Sequence, residues 1–364
     1  MEIIKVIGEF FIQPLLWLGI LYTLLLYQLR IKNERNNFRI AINKDWYEIR
    51  HFVKKGLVWG LILSIFSVII GIFIPIKYVF IYEIFAMVSM LFLPVIDLSA
   101  LPLYILGVIS YQHGEISSSI FMLLLSLNYF MKAHLTGKND KIWFSPRERQ
   151  GKRGRRIVQY CFHELTVLPL LILIPGNLVS NFKFIPLIHF GELKFSFFIL
   201  PFFVGSVGKI FKETAKNALE YYRKQNMLMC LIAFAGFIIG TIFPKSSLVL
   251  TIFILLASVW MIFKRKKKDE KSNQWYVETN MGIRIVAIRP DTPAAKMNLE
   301  PGDIILNCNG RHVTNENQFY AALQLNSAYC HLKLKTFNGN LKIAEGAIYN
   351  DSPYELGIVL FQNK

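Results

Sequence analysis

Acidic side chains are scarce in this sequence: 24 Asp and Glu stand against 41 Lys and Arg, a formal charge of +17. Cysteine is scarcer. Cys161 and Cys230 lie in apolar segments, Cys308 and Cys330 in the C-terminal region, and none has CxxC or metal-site spacing. Reduced structural thiols are the expected state, with no metal and no other cofactor. Two protease chemistries lack their residues. An intramembrane zinc site needs HExxH, two histidines one helical turn apart with a glutamate base between them. His163-Glu164 is followed by Leu165-Thr166-Val167, so the second histidine is missing. A serine nucleophile needs an adjacent base, whereas Gly205-Ser206-Val207-Gly208 reads as a small-residue packing patch. No soluble protease region precedes the C-terminal part, and no catalytic residue is assigned.

Apolar surface, by contrast, is abundant. The chain is 54% hydrophobic with 30 Phe, and its mean hydropathy is +0.39. That is too apolar for a soluble globule and implies many membrane spans. The apolar N-terminal stretch lacks a small-residue cleavage site, so it reads as an uncleaved span. Spans are expected at about Ile7–Tyr27, Gly56–Pro75, Ser117–Met131, Val158–Pro175, Phe195–Ile210, Met227–Phe243 and Leu248–Phe263. Tyr78–Tyr111 is nearly continuous apolar sequence broken at Pro94 and Asp97. It supplies two short crossings or one crossing and a re-entrant piece, giving seven to nine helical spans. The Lys and Arg excess concentrates in Arg30–Lys55, Lys132–Arg156, Lys212–Gln225 and the run Lys264-Arg265-Lys266-Lys267-Lys268. Such loops mark the cytoplasmic side, not a nucleic-acid partner. The last run also suits anionic lipid, at about 1 kcal/mol per residue. Of the ionisable residues Glu83, Asp97, His163, Glu164 and Glu192, only Glu83 sits well inside an apolar run, a thin basis for transport.

The C-terminal region changes character. Gly282–Ile288 alternates like a half-buried strand, Pro293–Leu299 reads as a short helix, and Pro301-Gly302-Asp303 is a turn before Ile304-Ile305-Leu306. Asn309-Gly310 suits a type I′ hairpin, where both central residues need positive φ. Thr314 is placed to cap a helix over Asn315–Leu325. The expected core is Ile285, Ile305, Leu306, Phe319, Leu323 and Leu334. This order of turns and elements resembles a PDZ domain. The resemblance implies that Glu355–Phe361 holds the carboxylate-binding loop and its peptide-pairing strand, last in the chain as in circularly permuted bacterial PDZ domains. Leu356, Gly357, Ile358 and Val359 would then hold the peptide, with Gln318 and Ala322 on the opposite wall. The fold class is thus an α-helical polytopic membrane domain over 1–263, a basic linker over 264–275 and an α+β PDZ domain over 276–364.

The whole layout resembles the MinJ-like family of polytopic division proteins of Gram-positive rods. Phe10-Phe11-Ile12-Gln13-Pro14-Leu15 at the first span and Arg30-Ile31-Lys32-Asn33-Glu34-Arg35 after it add to the likeness. The resemblance implies a non-catalytic adaptor at septum and poles. It would link a DivIVA-type scaffold to the MinC–MinD inhibitor with its MinD-type ATPase, alongside other divisome proteins and membrane lipid. Two other readings are an accessory of regulated membrane proteolysis and a transporter. The charge pattern yields the first prediction. With cysteine introduced into a cysteine-free background, Asn37→Cys and Asn139→Cys should resist an impermeant thiol reagent on intact cells; labelling of either overturns the topology.

Overall fold

The computed structural model describes residues 2–114, 116–137, 144–151, 154–175, 188–190, 193–212, 214–271, 276–326, 328–336, 339–348 and 356–361. The N-terminal unit runs α1 (Glu2–Ile12), α2 (Pro14–Phe38), α3 (Tyr47–Ile70), α4 (Ile76–Leu91), α5 (Leu101–His113), α6 (Ser119–Gly137), β1 (Ser145–Gln150), β2 (Arg156–Pro175), β3 (Ile188–Phe190), β4 (Leu193–Ile210), α7 (Ala215–Ile242) and α8 (Ser247–Lys271). The C-terminal unit follows as β5 (Ile283–Ile288), α9 (Pro293–Lys296), β6 (Ile304–Cys308), β7 (Arg311–His312), α10 (Glu316–Gln324), β8 (Tyr329–Lys335), β9 (Leu341–Ala347) and β10 (Ile358–Leu360).

Among the described residues, four helices are long and apolar enough to cross a membrane: Pro14–Phe38, Tyr47–Ile70, Asn217–Ile242 and Pro244–Lys271. On α3, Leu57, Leu61, Ile65 and Ile69 form one exposed stripe at helical spacing, while Gly56, Gly60, Leu63 and Ser67 turn inward. Helix α6 is different. It is buried almost along its whole length and forms the centre of the unit. Helices α4 and α5 are short, and the break between them holds Pro94 and Asp97.

The segments expected as helical spans at Val158–Pro175 and Phe195–Ile210 are not helices. They are β2 and β4, an antiparallel hairpin flanked by β1 and β3 in the order β1-β2-β4-β3. A continuous apolar run does not itself separate a buried strand from a buried helix. Proline does. Pro169 and Pro201 stand in mid-run, where each would remove a helical hydrogen bond and clash with the preceding turn. In the hairpin they face each other. The odd-numbered residues on both strands turn their backbone groups outward, as the bonds below show, so neither proline removes a ladder bond.

Strands of this length, at about 3.3 Å per residue, reach roughly 60 Å. Their open edges present N–H and C=O groups that an apolar interior cannot leave unpaired. The surrounding helices supply the partners. Along β2, Ser64 Oγ donates to the Pro169 carbonyl (2.9 Å) and accepts from Leu171 N–H (2.9 Å). In the reverse direction, Thr166 Oγ1 on the strand donates to the Phe52 carbonyl of α3. Residues 72–74 add a short bridge, with Leu173 N–H on the Ile72 carbonyl and Ile74 N–H on the Leu173 carbonyl, both 2.9 Å. Along β4, Phe203 N–H donates to Tyr82 OH (2.9 Å), and Asn128 Nδ2 donates to the Phe203 carbonyl (3.1 Å). Ser99 Oγ serves Gly205 and Gln13 Nε2 serves Ile199. Helix α3 comes close enough to do this because Gly60 sits on Pro169, where a Cβ would lie 2.4 Å from Pro169 Cδ.

In the C-terminal unit the sheet runs β10-β5-β6-β8-β9, with β7 paired to β6. Asn309 (φ 48°) and Gly310 (φ 81°) make the tight turn between β6 and β7. Ile285, Ile305, Phe319, Leu323 and Leu334 share one buried cluster, whereas Leu306 is only half-buried. Strand alternation explains it, since a residue next to Ile305 points to the other face. The helix cap is Asn315 rather than Thr314. Asn315 Oδ1 accepts from Gln318 N–H at 2.9 Å, and its own backbone is extended as an N-cap requires. The basic run Lys264–Lys268, expected in a linker over 264–275, is helical and forms part of the end of α8; residues 272–275 lie outside the described ones.

The hairpin edges give a stability prediction. Tyr82→Phe leaves the buried Phe203 N–H unpaired and should cost about 1–3 kcal/mol. Thr241→Ala, on an exposed position of α7, should cost far less. Thermal unfolding of the full chain in detergent compares the two, and equal melts would contradict the edge assignment.

Candidate peptide-binding site

Strand β10 lies at the edge of the C-terminal sheet, and among the described residues β5 is its paired strand. Gly357, just before it, has φ +88°. Its carbonyl accepts from Arg289 N–H (2.8 Å), and the Leu356 carbonyl accepts from Ala294 N–H (3.0 Å). The loop is thereby fixed to the end of β5 and to α9. A Cβ at Gly357 would lie 2.1 Å from Thr292 Oγ1, so the loop backbone sits directly on that side chain. A bulky residue here would therefore disturb the fold as well as the loop.

The six residues read from the sequence as a peptide site do not all face one way. Leu356, Ile358 and Ala322 share the domain's core cluster with Leu360. Val359 points to the opposite face of the strand, as period two demands. Gln318 is exposed at the start of α10, and its Oε1 accepts from Thr314 N–H and Oγ1. Loop, edge strand and helix are brought together, but the two positions chosen on α10 differ in exposure.

Val359 and Phe361 belong to a second cluster with Phe38, Ile42, Val158, Tyr160, Ile210 and Tyr276, which joins the two units. At this junction the sheet of the N-terminal unit continues into the chain leading to β5. Ile157 bridges Val277 antiparallel, Val158 N–H donates to the Tyr276 carbonyl (3.0 Å), and Glu278 N–H donates to the Arg156 carbonyl (3.1 Å). Tyr160 OH donates to the Val286 carbonyl, and its ring lies 4.4 Å from that of Tyr276. Arg156 pairs with Glu278 (Nε to Oε2 3.0 Å) and lies over the Phe361 ring at 5.4 Å. The sequence reading gave Arg156 a topological role only. Nothing in one dimension links it to residue 278, because the contact depends on the hairpin it begins.

His163 and Glu164 are neighbours on β2, so their side chains leave opposite faces of the strand. Glu164 meets His51 Nδ1 (2.8 Å) and Tyr47 OH (3.1 Å) across the boundary with α3. Among the described residues no three His, Cys, Asp or Glu side chains gather as a metal site. Asp97 forms an ion pair with Lys132 (2.8 Å), and Glu83 is buried on α4. Glu192 lies outside the described residues. Cys308 and Cys330 are buried free thiols of the C-terminal unit.

The hydrogen bond from Arg156, aided by its charge, holds the Glu278 carboxyl below its ordinary value of 4.5. A depressed carboxylate contributes to docking above that value and loses the contribution as pH falls through the lowered one. The pair is partly exposed, so its worth is about 0.2–1 kcal/mol. Hydrogen exchange at the Val158 and Glu278 amides should be protected near neutral pH and loosen in acid. Glu278→Gln should flatten that pH dependence, and an unchanged profile would contradict the pairing.

Comparison with known proteins agrees with this architecture. Residues 284–335 match the family model of the PDZ domain, a range that ends before the loop at residues 356–357 and β10. Over its whole length the chain is 26% identical to the cell division topological determinant MinJ of Bacillus subtilis (strain 168), covering 96% of that protein. It is 25% identical to a probable cell division topological determinant MinJ of Lacticaseibacillus paracasei, over 95% of this chain and 94% of that one.

Proposed function

From this full-length similarity to cell division topological determinants, together with the C-terminal PDZ domain, we propose that the chain is a non-catalytic membrane adaptor for division-site selection. It bridges a DivIVA-type scaffold at poles and septum to the MinC–MinD inhibitor. The observation that carries the binding half is the edge strand β10, entered through Gly357 at φ +88° and fixed by the Leu356 and Gly357 carbonyls. A partner's extended C-terminus adds to that edge, with loop N–H groups of residues 356–358 holding its carboxylate and Ile358, Gln318 and Ala322 bordering the groove, while Val359 contributes its backbone to the edge and its side chain to the junction cluster. This makes the PDZ domain a circularly permuted one.

Helices α2, α3, α7 and α8 cross the bilayer, with the PDZ domain in the cytoplasm. The end of α2, the α2–α3 connection and the start of α7 lie toward the PDZ side through Phe38, Ile42 and Ala218. The basic segments Arg30–Lys55 and Lys212–Lys224 lie at those same ends and Lys264–Lys268 at the end of α8, which supports one cytoplasmic face. A peptide antiparallel to β10 with its terminus at Gly357 runs toward Phe361 and Arg156, close to the membrane-associated unit.

Two measurements test this reading. A fluorescent fusion should concentrate at septum and poles of dividing rods, and an even membrane pattern counts against the adaptor role. Once a partner peptide is in hand, amidating its C-terminus removes the charge the loop holds, which at about 1.5–3 kcal/mol is a loss on the order of 10–100-fold. Equal binding of the free and amidated peptides would remove the carboxylate-loop assignment.

A further inference from the structure

A cavity of about 620 Å³ lies between the end of β4, the residue 95–101 segment and helices α6, α7 and α8. Its volume is within the roughly 300–1,000 Å³ usual for small-molecule sites. The interior is apolar, formed by Leu101, Met229 and Leu255 beside the paired hydroxyls of Tyr104 and Tyr129, with the exposed Val259 at its mouth. One polar side chain there stands out. Gln225 is only 6% exposed, and both its amide atoms are buried without a hydrogen-bond partner. Buried amides are normally satisfied, so this one points to a ligand.

The rim is basic: Lys209, Arg265 and Lys266 line it. Three carboxylates also line the cavity. Asp97 is paired with Lys132 at 2.8 Å, Asp269 accepts the N–H groups of Phe211 (3.0 Å) and Lys212 (3.1 Å), and Glu270 is exposed at the end of α8. Lys264, Lys267 and Lys268 on the same turns of α8 add positive charge. Beside the cavity, Leu231, Phe253, Leu256 and Trp260 are exposed apolar residues of α7 and α8, and Lys264 lies 4.8 Å over the Trp260 ring. A tryptophan with a lysine at that boundary marks the headgroup level of a bilayer. The cavity therefore sits where apolar helix faces give way to the basic run.

We propose that this cavity binds one anionic phospholipid. An acyl chain fills the apolar interior, glycerol or ester oxygens satisfy Gln225, and the phosphate rests on Arg265 and Lys209. Free phosphate would answer the rim but leave the interior and Gln225 unfilled. The site is separate from the peptide groove, so it stands or falls independently of the adaptor role.

The test uses the full chain in detergent, read by native mass spectrometry after exposure to vesicles of phosphatidylglycerol or of phosphatidylcholine. The wild type should retain one phosphatidylglycerol in preference to phosphatidylcholine. Met229→Trp, which fills the interior, and Arg265→Gln, which removes the rim charge, should each lower retention on the order of tenfold. Lys333→Gln, on an exposed position of β8 in the C-terminal unit, should not. Arg265 is half-exposed, so Arg265→Gln decides the matter should Met229→Trp fail to fold, as a melt would reveal. Equal retention of the two lipids, retention by Arg265→Gln at the wild-type level, or displacement of the lipid by inorganic phosphate overturns the proposal.

Discussion

Every backbone polar group inside an apolar unit needs a partner, and the β2–β4 hairpin is where that requirement bears hardest. The paired sides of the strands satisfy each other. The outer edges depend on a few side chains: Ser64 on one edge, and Tyr82, Asn128, Ser99 and Gln13 on the other. Each comes from a different helix or turn, so the edges fix where those elements sit. Glycine at position 60 and the facing prolines belong to the same solution, since they permit close approach and ask for no outward N–H bond.

The hairpin also reaches out of that unit. Its base pairs with residues 276–278, so the PDZ domain is attached through backbone hydrogen bonds and a shared apolar cluster, in addition to the chain leaving α8. Strand β10 is held between two layers. Ile358 and Leu360 pack into the PDZ core, while Val359 and Phe361 pack against Val158, Tyr160 and their neighbours.

Much of the PDZ domain was legible in the sequence because its signals are local. The PGD turn, the Asn309-Gly310 turn and the alternation of Ile283–Ile288 act within a few residues of themselves. The cap was misplaced by one residue, since Thr314 and Asn315 are both good caps and only the backbone distinguishes them. The hairpin was not legible as a hairpin. Its strands are as apolar as membrane helices, and Pro169 and Pro201 were the available sign of another conformation. The edge partners lie 75 to 186 residues away in sequence from the groups they serve. In the groove, Leu356–Val359 could be named as a segment, but their division between two clusters depends on a docked surface that period two alone does not reveal. The basic run was read as charge, and its helical continuation of α8 brings Arg265 to the cavity rim.

The central structural claim is that the PDZ domain is fixed to the hairpin base. Antiparallel bridge partners have Cα atoms about 4.5–5.5 Å apart, within reach of a disulfide. In an otherwise cysteine-free full chain in membranes, Ile157→Cys paired with Val277→Cys should therefore cross-link nearly completely under mild oxidation. Ile157→Cys paired with Leu341→Cys, on exposed β9, should not. Absence of the first cross-link, or equal yields from both pairs, would contradict the docked arrangement.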